Sequence, residues 1–535
     1  MNGPLAEYAG FAALWKRFAP ETPFGRAARA AAGVLTDRAE LEERWDLTDE
    51  ALRLLDALEG DRVRLDRIRH HLRRIPRFPE SPREAFDEVE LFQLKKLLAN
   101  HRRLLALLPD GAKARFGLAP LPESLHALLG TGREGDESFH VADAYDPELA
   151  SVRSEIRRAD AEAAALRASR DEALQARCGF ALGDRPFLLV PREVLGEPAG
   201  VSDLLEIEAW DATRLCVRPR PSVAELRLGE EKAALLARER GIEARVLRAL
   251  SAPLSEALPL FLERGGAVER LDLALGGARL AREAGLVRPI LHDGPVRIAG
   301  GRHLPTEELC AELGTPYTPL DATFDGGPTV VFGSNMGGKT VVLKTLALLQ
   351  LAAQSGLFVP AARFETRLFR RFHYVGEGRG REAERGLSGF GFEVRQLAEA
   401  HADFGDETLA LFDELARTTS SVEAEAILSA LLEELAARPR TVALFSTHFR
   451  GVKRLPGVTY LRMAGLDRAR LELGPEGDDL PARIRRIDLL MRYRLEPDVP
   501  GERRSDAIAV ARLLGLSPAL ARRAEELLHD HDEKD

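Results

Sequence analysis

The run Gly333-Ser334-Asn335-Met336-Gly337-Gly338-Lys339-Thr340 has the residue types and spacing to hold the phosphates of a nucleotide. Its glycines let successive backbone N–H groups converge on an anion, and a helix opening behind them adds positive potential. Lys339 is long enough to reach the terminal phosphates, and the Thr340 hydroxyl can ligate Mg2+. Downstream, Leu409-Ala410-Leu411-Phe412 ends in Asp413 and Glu414. An aspartate at the carboxyl end of an apolar strand can share Mg2+ with Thr340. The neighbouring glutamate can orient or deprotonate an attacking water. A third apolar run, Thr441-Val442-Ala443-Leu444-Phe445, ends in Ser446-Thr447-His448, where a histidine can hydrogen-bond a γ-phosphate. Read alone, His448 is equally a structural histidine; three such elements in this order favour a nucleotide site. Between them lies Glu384-Arg385-Gly386-Leu387-Ser388-Gly389-Phe390. It reads either as a flexible glycine loop or as a helix start. In the second case Ser388 would cap the γ-phosphate held by a second subunit.

These residues need strands to carry them to a common edge. Thr329-Val330-Val331-Phe332 supplies one before the glycine run, and Val341 to Leu351 reads as the helix after it. From about Pro289 onward strands and helices alternate, which predicts a mostly parallel sheet. The first 130 residues read as helices over Asp37 to Leu58, Arg62 to Ile75 and Pro82 to Leu108, with breaks at Pro76, Pro79 and Pro109. In the arginine-rich run from Arg62 to Arg74, Val63, Leu65, Ile68 and Leu72 recur at helical spacing. That pattern favours a helix with a solvated charged face above a buried apolar stripe, rather than a nucleic-acid patch. Long charged helices are predicted from Pro147 to Arg177 and from Val223 to Glu263. Short strands lie between them around Pro186–Val190, Leu204–Trp210 and Leu215–Val217. This arrangement suggests an arm projecting from a helical body. The tail from His529 to Asp535 reads as a frayed end.

The chain has 535 residues, 45% of them hydrophobic, enough for two to four folded domains. No run of about 18 uncharged apolar residues is present, so no membrane-spanning helix is expected. No secretion signal is visible. The three cysteines, Cys178, Cys216 and Cys310, are isolated, which indicates neither a zinc site nor a disulfide framework and places the chain in the cytoplasm. A net charge of −9 argues against indiscriminate nucleic-acid binding.

The set Gly333–Thr340, Gly386-Leu387-Ser388-Gly389-Phe390, Asp413-Glu414-Leu415-Ala416-Arg417-Thr418-Thr419-Ser420 and Ser446-Thr447-His448-Phe449 resembles the ATPase domain of MutS proteins. Thr22-Pro23-Phe24-Gly25-Arg26 through Leu35-Thr36-Asp37 resembles the start of their lever domain, and Gly301-Arg302-His303 the entry to the ATPase. Ala353-Gln354-Ser355-Gly356-Leu357-Phe358-Val359-Pro360-Ala361 looks most like the branch whose members carry a C-terminal Smr nuclease. The resemblance implies an α/β plus all-α chain. A helical lever would span 1–140, a long-helix arm with a small β clamp near 178–222 would span 141–285, and an ABC-like P-loop ATPase would span 286–535. It implies lever, clamp and ATPase domains only, without the mismatch-recognition and connector domains and without the Smr domain. ATP and Mg2+ would be the cofactors, bound between two protomers of a homodimer or of a heterodimer with a related subunit. Gly333 to Thr340 would line the phosphates. Lys339, Thr340, Asp413, Glu414 and His448 would act in cis and Ser388 in trans, while Tyr317 would stack on adenine.

The sequence departs from the family where Ser334 replaces the usual proline and where Ala416-Arg417-Thr418-Thr419-Ser420 replaces Gly-Arg-Gly-Thr-Ser. In the clamp, Arg185, Arg192, Arg214, Arg218 and Arg220 are outnumbered by acids, among them Glu193, Glu197, Asp203, Glu206, Glu208 and Asp211. That balance suits phosphate tracking poorly. Three functions remain. The first is an ATP-gated clamp on DNA. The second is a protein-remodelling factor similar to the ATPase subunit that reactivates cobalamin-dependent lysine 5,6-aminomutase. The third, a degenerate nucleotide-binding scaffold, is disfavoured by the intact Asp413, Glu414 and His448.

Overall fold

The computed structural model describes residues 3–132, 138–195, 200–334, 337–376, 389–470, 479–499 and 506–532. The chain forms two compact units, Met1–Leu65 with Val268–Asp535, and Asp66–Ala267.

In Asp66–Ala267 local caps and prolines set where the helices begin and end. The helix expected from Pro82 starts instead at Glu88, because Asp87 accepts from the Glu90 N–H and Glu90 reaches back to the Asp87 N–H. The helices Pro147–Cys178 and Val223–Glu256 pack side by side. Arg153 ties them together, bonding Glu239 and Glu243 at 2.7 Å each, while Arg170 meets Glu225 at 2.8 Å. The second helix, expected to reach Glu263, ends at Glu256, and a new one runs Leu258–Ala284. Pro259 has no N–H to extend the first. Between the paired helices, β1 (Leu188–Pro191), β2 (Leu205–Ala209) and β3 (Arg214–Pro219) form an antiparallel sheet ordered β1-β3-β2. Val190, Leu205, Leu215 and Val217 form its core with Leu174 of the first helix. In the arginine-rich helix Arg62–Arg74, Ile68 and Leu72 are buried as expected. Val63 is not; it lies exposed at the helix start.

The other unit carries two sheets. One is mixed, ordered β4-β8-β5-β6, from β4 (Ile290–Leu291), β5 (Val296–Gly301), β6 (Leu320–Phe324) and β8 (Arg363–Thr366). The other also contains β7 (Gly327–Phe332), β9 (Arg371–Val375), β10 (Thr408–Asp413), β11 (Val442–Thr447), β12 (Thr459–Leu466) and β13 (Met491–Pro497), in the order β13-β12-β7-β11-β10-β9. Every neighbouring pair from β12 to β9 is parallel, and β13 closes the edge antiparallel.

Strand alternation divides the side chains between the two faces of this sheet. Val331, Leu409, Leu411, Val442 and Leu444 join the core that holds Leu343, Leu346 and Leu349 of the helix Lys339–Gln354. Val330, Phe332, Ala410, Phe412, Ala443 and Phe445 pack with Leu428, Leu432 and Leu435 of the helix Ser421–Ala436. The Phe412 and Phe445 rings stack at 4.2 Å. Both faces are covered, which explains why these strands read as continuous apolar runs. The last helix, Pro518–Asp532, extends into the tail expected to fray. Among the described residues, no helix is long and apolar enough to cross a membrane.

Candidate functional site

Because β7, β10 and β11 are parallel neighbours in the sheet, their carboxyl ends share one edge, and each motif begins there. Beyond Phe332 the backbone turns at Gly333 and Ser334, and the Gly337 N–H donates to the Ser334 carbonyl at 2.9 Å. Gly338 caps the following helix at φ 88°, in the left-handed region. A Cβ there would lie 3.0 Å from the Tyr493 ring, so any other residue would be both strained and crowded. Asn335, Met336 and Ser388 lie outside the described residues.

Lys339 is 3% exposed. Its Nζ donates to the carbonyls of Gly333 at 2.8 Å and Ser334 at 3.0 Å, and lies 3.2 Å from Glu414 Oε1. Burial pushes the ammonium pKa down, opposed by the Glu414 carboxylate. The next side chain, Thr340, donates from Oγ1 to Asp413 Oδ1 at 3.2 Å. Ser446 donates to the same oxygen at 2.5 Å, and the Tyr8 hydroxyl donates to Oδ2 at 3.1 Å. Burial first, and the Asp413 charge second, hold the Tyr8 phenol well above its ordinary pKa.

Glu414 leaves β10 at φ 53° and Ala416 follows at φ 62°, both left-handed and neither a glycine. Such a residue costs about 1–2 kcal/mol. Hydrogen bonds offset the strain. The Glu414 N–H donates to Ser446 Oγ and to the Ser446 carbonyl, both at 3.1 Å. The Ala416 N–H donates to the buried Glu393 carboxylate at 2.8 Å. The sharp turn swings the Glu414 carboxylate back towards Lys339.

Two cavities flank this centre. One, about 570 Å³, is lined by Gly333, Ser334, Gly337 and the exposed His448, with Arg450 and Arg462. The other, about 310 Å³, is lined by Lys339, Thr340, Tyr317, Met463 and Tyr493. The Tyr317 hydroxyl accepts from the His303 N–H at 2.7 Å, which leaves its half-buried ring on the cavity wall. Thus Lys339, Thr340, Asp413 and Glu414 meet directly, while His448 and Tyr317 open onto the flanking spaces. The sequence reading gave no role to Tyr8, Ser446, Arg450 or Tyr493. Ser446 had a signal, since it stands two residues before His448. Tyr8 had none, being 405 positions from the aspartate it bonds.

A hydroxyl and a carboxylate side by side are hard oxygen donors of the kind Mg2+ prefers, so Thr340 and Asp413 fit that ion. The neighbouring buried ammonium and glycine-rich turn fit a polyphosphate.

Residues 329–531 match the family model described as MutS domain V, and it begins at the strand that leads into the glycine turn. The matched segment is an ATPase domain. The chain is also homologous to proteins of the MutS2 and MutS family over part of their length. It is 29% identical to "Endonuclease MutS2" of Geobacillus sp. (strain WCH70), over 83% of this chain and 54% of that protein. With "Endonuclease MutS2" of Halalkalibacterium halodurans identity is 30%, over 81% and 52%. With "DNA mismatch repair protein MutS" of Caulobacter vibrioides it is 33%, over 53% and 30%. The chain spans about half the length of the MutS2 relatives it matches. The matched segment covers the carboxyl ends of β7, β10 and β11, where Lys339, Thr340, Asp413, Glu414 and His448 follow.

Proposed function

We propose that this chain is a MutS-type ATPase whose nucleotide-gated dimer closes as a clamp on DNA. The observation that carries the reading is the convergence of Lys339, Thr340, Asp413 and Glu414 at one sheet edge inside a MutS domain V. Lys339 would exchange its Glu414 contact for a phosphate oxygen. Thr340 and Asp413 would hold Mg2+, which neutralises phosphate charge when bound. Glu414, freed from Lys339, would orient the attacking water, and His448 would hydrogen-bond the γ-phosphate from the larger cavity. Tyr317 would stack on adenine across the smaller one. Ser388 of a second subunit would complete the site, so that ATP holds the dimer shut and hydrolysis releases it. In this reading the lever spans 1–140, the clamp arm 141–285 and the ATPase 286–535.

One observation favours a second reading, the remodelling of a protein client such as a cobalamin-dependent aminomutase. In and beside the small sheet, arginines are engaged by local acids: Arg177 with Asp203 at 3.0 Å, Arg214 with Asp211 at 2.7 Å, and Arg218 with Glu208 at 3.2 Å. Arginines so paired are poorer phosphate contacts. Binding to duplex and branched DNA, titrated with salt in the presence of ATP, separates the two. We expect binding that weakens steeply with salt. Absence of binding at low salt would remove the DNA reading and leave the protein client.

A further inference from the structure

The N-terminal segment reaches the candidate nucleotide site, although the matched domain V begins only at residue 329. Residues Leu5, Ala6 and Ala9 are buried in the same core as the helix Lys339–Gln354, which fixes Tyr8 between that helix and β9. The Tyr8 ring stacks on Tyr374 with centroids 4.1 Å apart, and the Lys344 ammonium lies 5.4 Å from its centre. Tyr374 pairs with Leu411, two residues before Asp413 on the same face of the sheet. The stack therefore sets the phenol at the height of the aspartate. Its hydroxyl then lies 3.1 Å from Asp413 Oδ2 and 3.4 Å from the Thr340 carbonyl.

The two oxygens of Asp413 are thus held from opposite directions. Oδ1 accepts from Thr340 and Ser446, within the ATPase motifs; Oδ2 accepts from Tyr8, outside them. A carboxylate bonded on one oxygen only can rotate about its terminal torsion, which is broad and soft. Bonding the second oxygen stops that rotation. We propose that Tyr8 is a positioning residue that fixes Asp413 in the orientation needed to hold Mg2+, making the N-terminal segment part of the nucleotide site. This inference rests on the assignment of Asp413 as a metal-holding residue.

Partners that orient metal-ligating carboxylates typically contribute 10- to 100-fold to metal affinity. Tyr8→Phe keeps the ring, its stack and its cation contact and removes only the hydroxyl. The test is binding of a non-hydrolysable ATP analogue to the full chain as Mg2+ is titrated, with the thermal midpoint measured alongside without nucleotide. We expect Tyr8→Phe to raise the half-saturating Mg2+ concentration about tenfold, at the low end of that range. Analogue binding in EDTA and the thermal midpoint should stay as in wild type. Unchanged Mg2+ dependence would overturn the inference, as would an equal loss of binding in EDTA, which would place the effect outside Asp413. Asp413→Asn is the control. If it abolishes the Mg2+ dependence while Tyr8→Phe does nothing, Tyr8 alone is misassigned. If it leaves the Mg2+ dependence intact, the metal assignment fails and the Tyr8 inference with it.

Discussion

Replacing Glu414 by Gln should move nucleotide binding and turnover in opposite directions. The substitution keeps the side chain's size and its ability to accept from Lys339, and removes only the charge. Lys339 and Glu414 lie 3.2 Å apart with side chains 2% and 15% exposed. Coulomb's law at an effective dielectric constant of about 20 gives a gross attraction of about 5 kcal/mol at that distance. Desolvation of both groups cancels most of it. A remaining difference of about 1.4 kcal/mol would be tenfold in an equilibrium constant. ATP must displace Glu414 from Lys339 and bring its own negative charge beside it. Glu414→Gln should therefore bind ATP about tenfold more tightly, whereas losing the group that activates water should slow hydrolysis by about 100-fold or more. Equilibrium binding of a fluorescent ATP and single-turnover phosphate release read the two effects separately. ATP binding that weakens together with turnover, or turnover within a few-fold of wild type, would refute the assignment of Glu414.

Three further outcomes test what stabilises the fold. His101, almost fully buried, has its pKa lowered to about 4 by burial, well below that of an unfolded histidine. Between those values only the unfolded chain takes up the proton. Its contribution to stability should thus be lost as pH falls from about 6.5 to 4, by up to about 3 kcal/mol. Urea unfolding of wild type and His101→Gln across that range should show the gap closing, and a pH-independent gap would contradict it. Asp272, buried, accepts from the N–H groups of Glu21 and Thr22 and from the Thr22 hydroxyl at 2.7–2.8 Å. Asp272→Ala should cost about 3 kcal/mol in urea unfolding by orphaning three donors, and a loss below about 1 kcal/mol would show that other acceptors replace it. Arg153 bonds Glu239 and Glu243 across the paired helices, and Asp143 in the turn before its own helix, at 2.7 Å each. Arg153→Met should cost about 1–2 kcal/mol and do so less at high salt; a salt-independent loss would mark packing, not charge, as the cause.

The candidate site was legible because its residues sit in contiguous motifs, each preceded by an apolar strand. Periodicity located β7, β10 and β11, and parallel pairing then brought Lys339, Thr340, Asp413 and Glu414 together without further information. The helices Pro147–Cys178 and Val223–Glu256 and the three short strands between them were legible for a similar reason, since proline and glycine punctuate them. What escaped the sequence depends on tertiary contact. Tyr8 carries no motif, and its neighbour in space is fixed only once its helix packs on β9. The left-handed turn at Glu414 and Ala416 could not be read either, because neither residue is of a type that favours it. The capping box at Asp87 and Glu90 was present in the text but outweighed by Pro82 as a start signal. The stop at Glu256 followed from Pro259, which periodicity alone overran.

Sedimentation of Glu414→Gln with and without saturating Mg2+-ATP tests the central claim most directly, since slowed hydrolysis should trap the closed form. We expect a monomer, or a loose pair, to become a tight dimer on adding ATP and to revert with ADP. A protein that binds ATP fully and sediments unchanged would contradict a site completed by a second subunit.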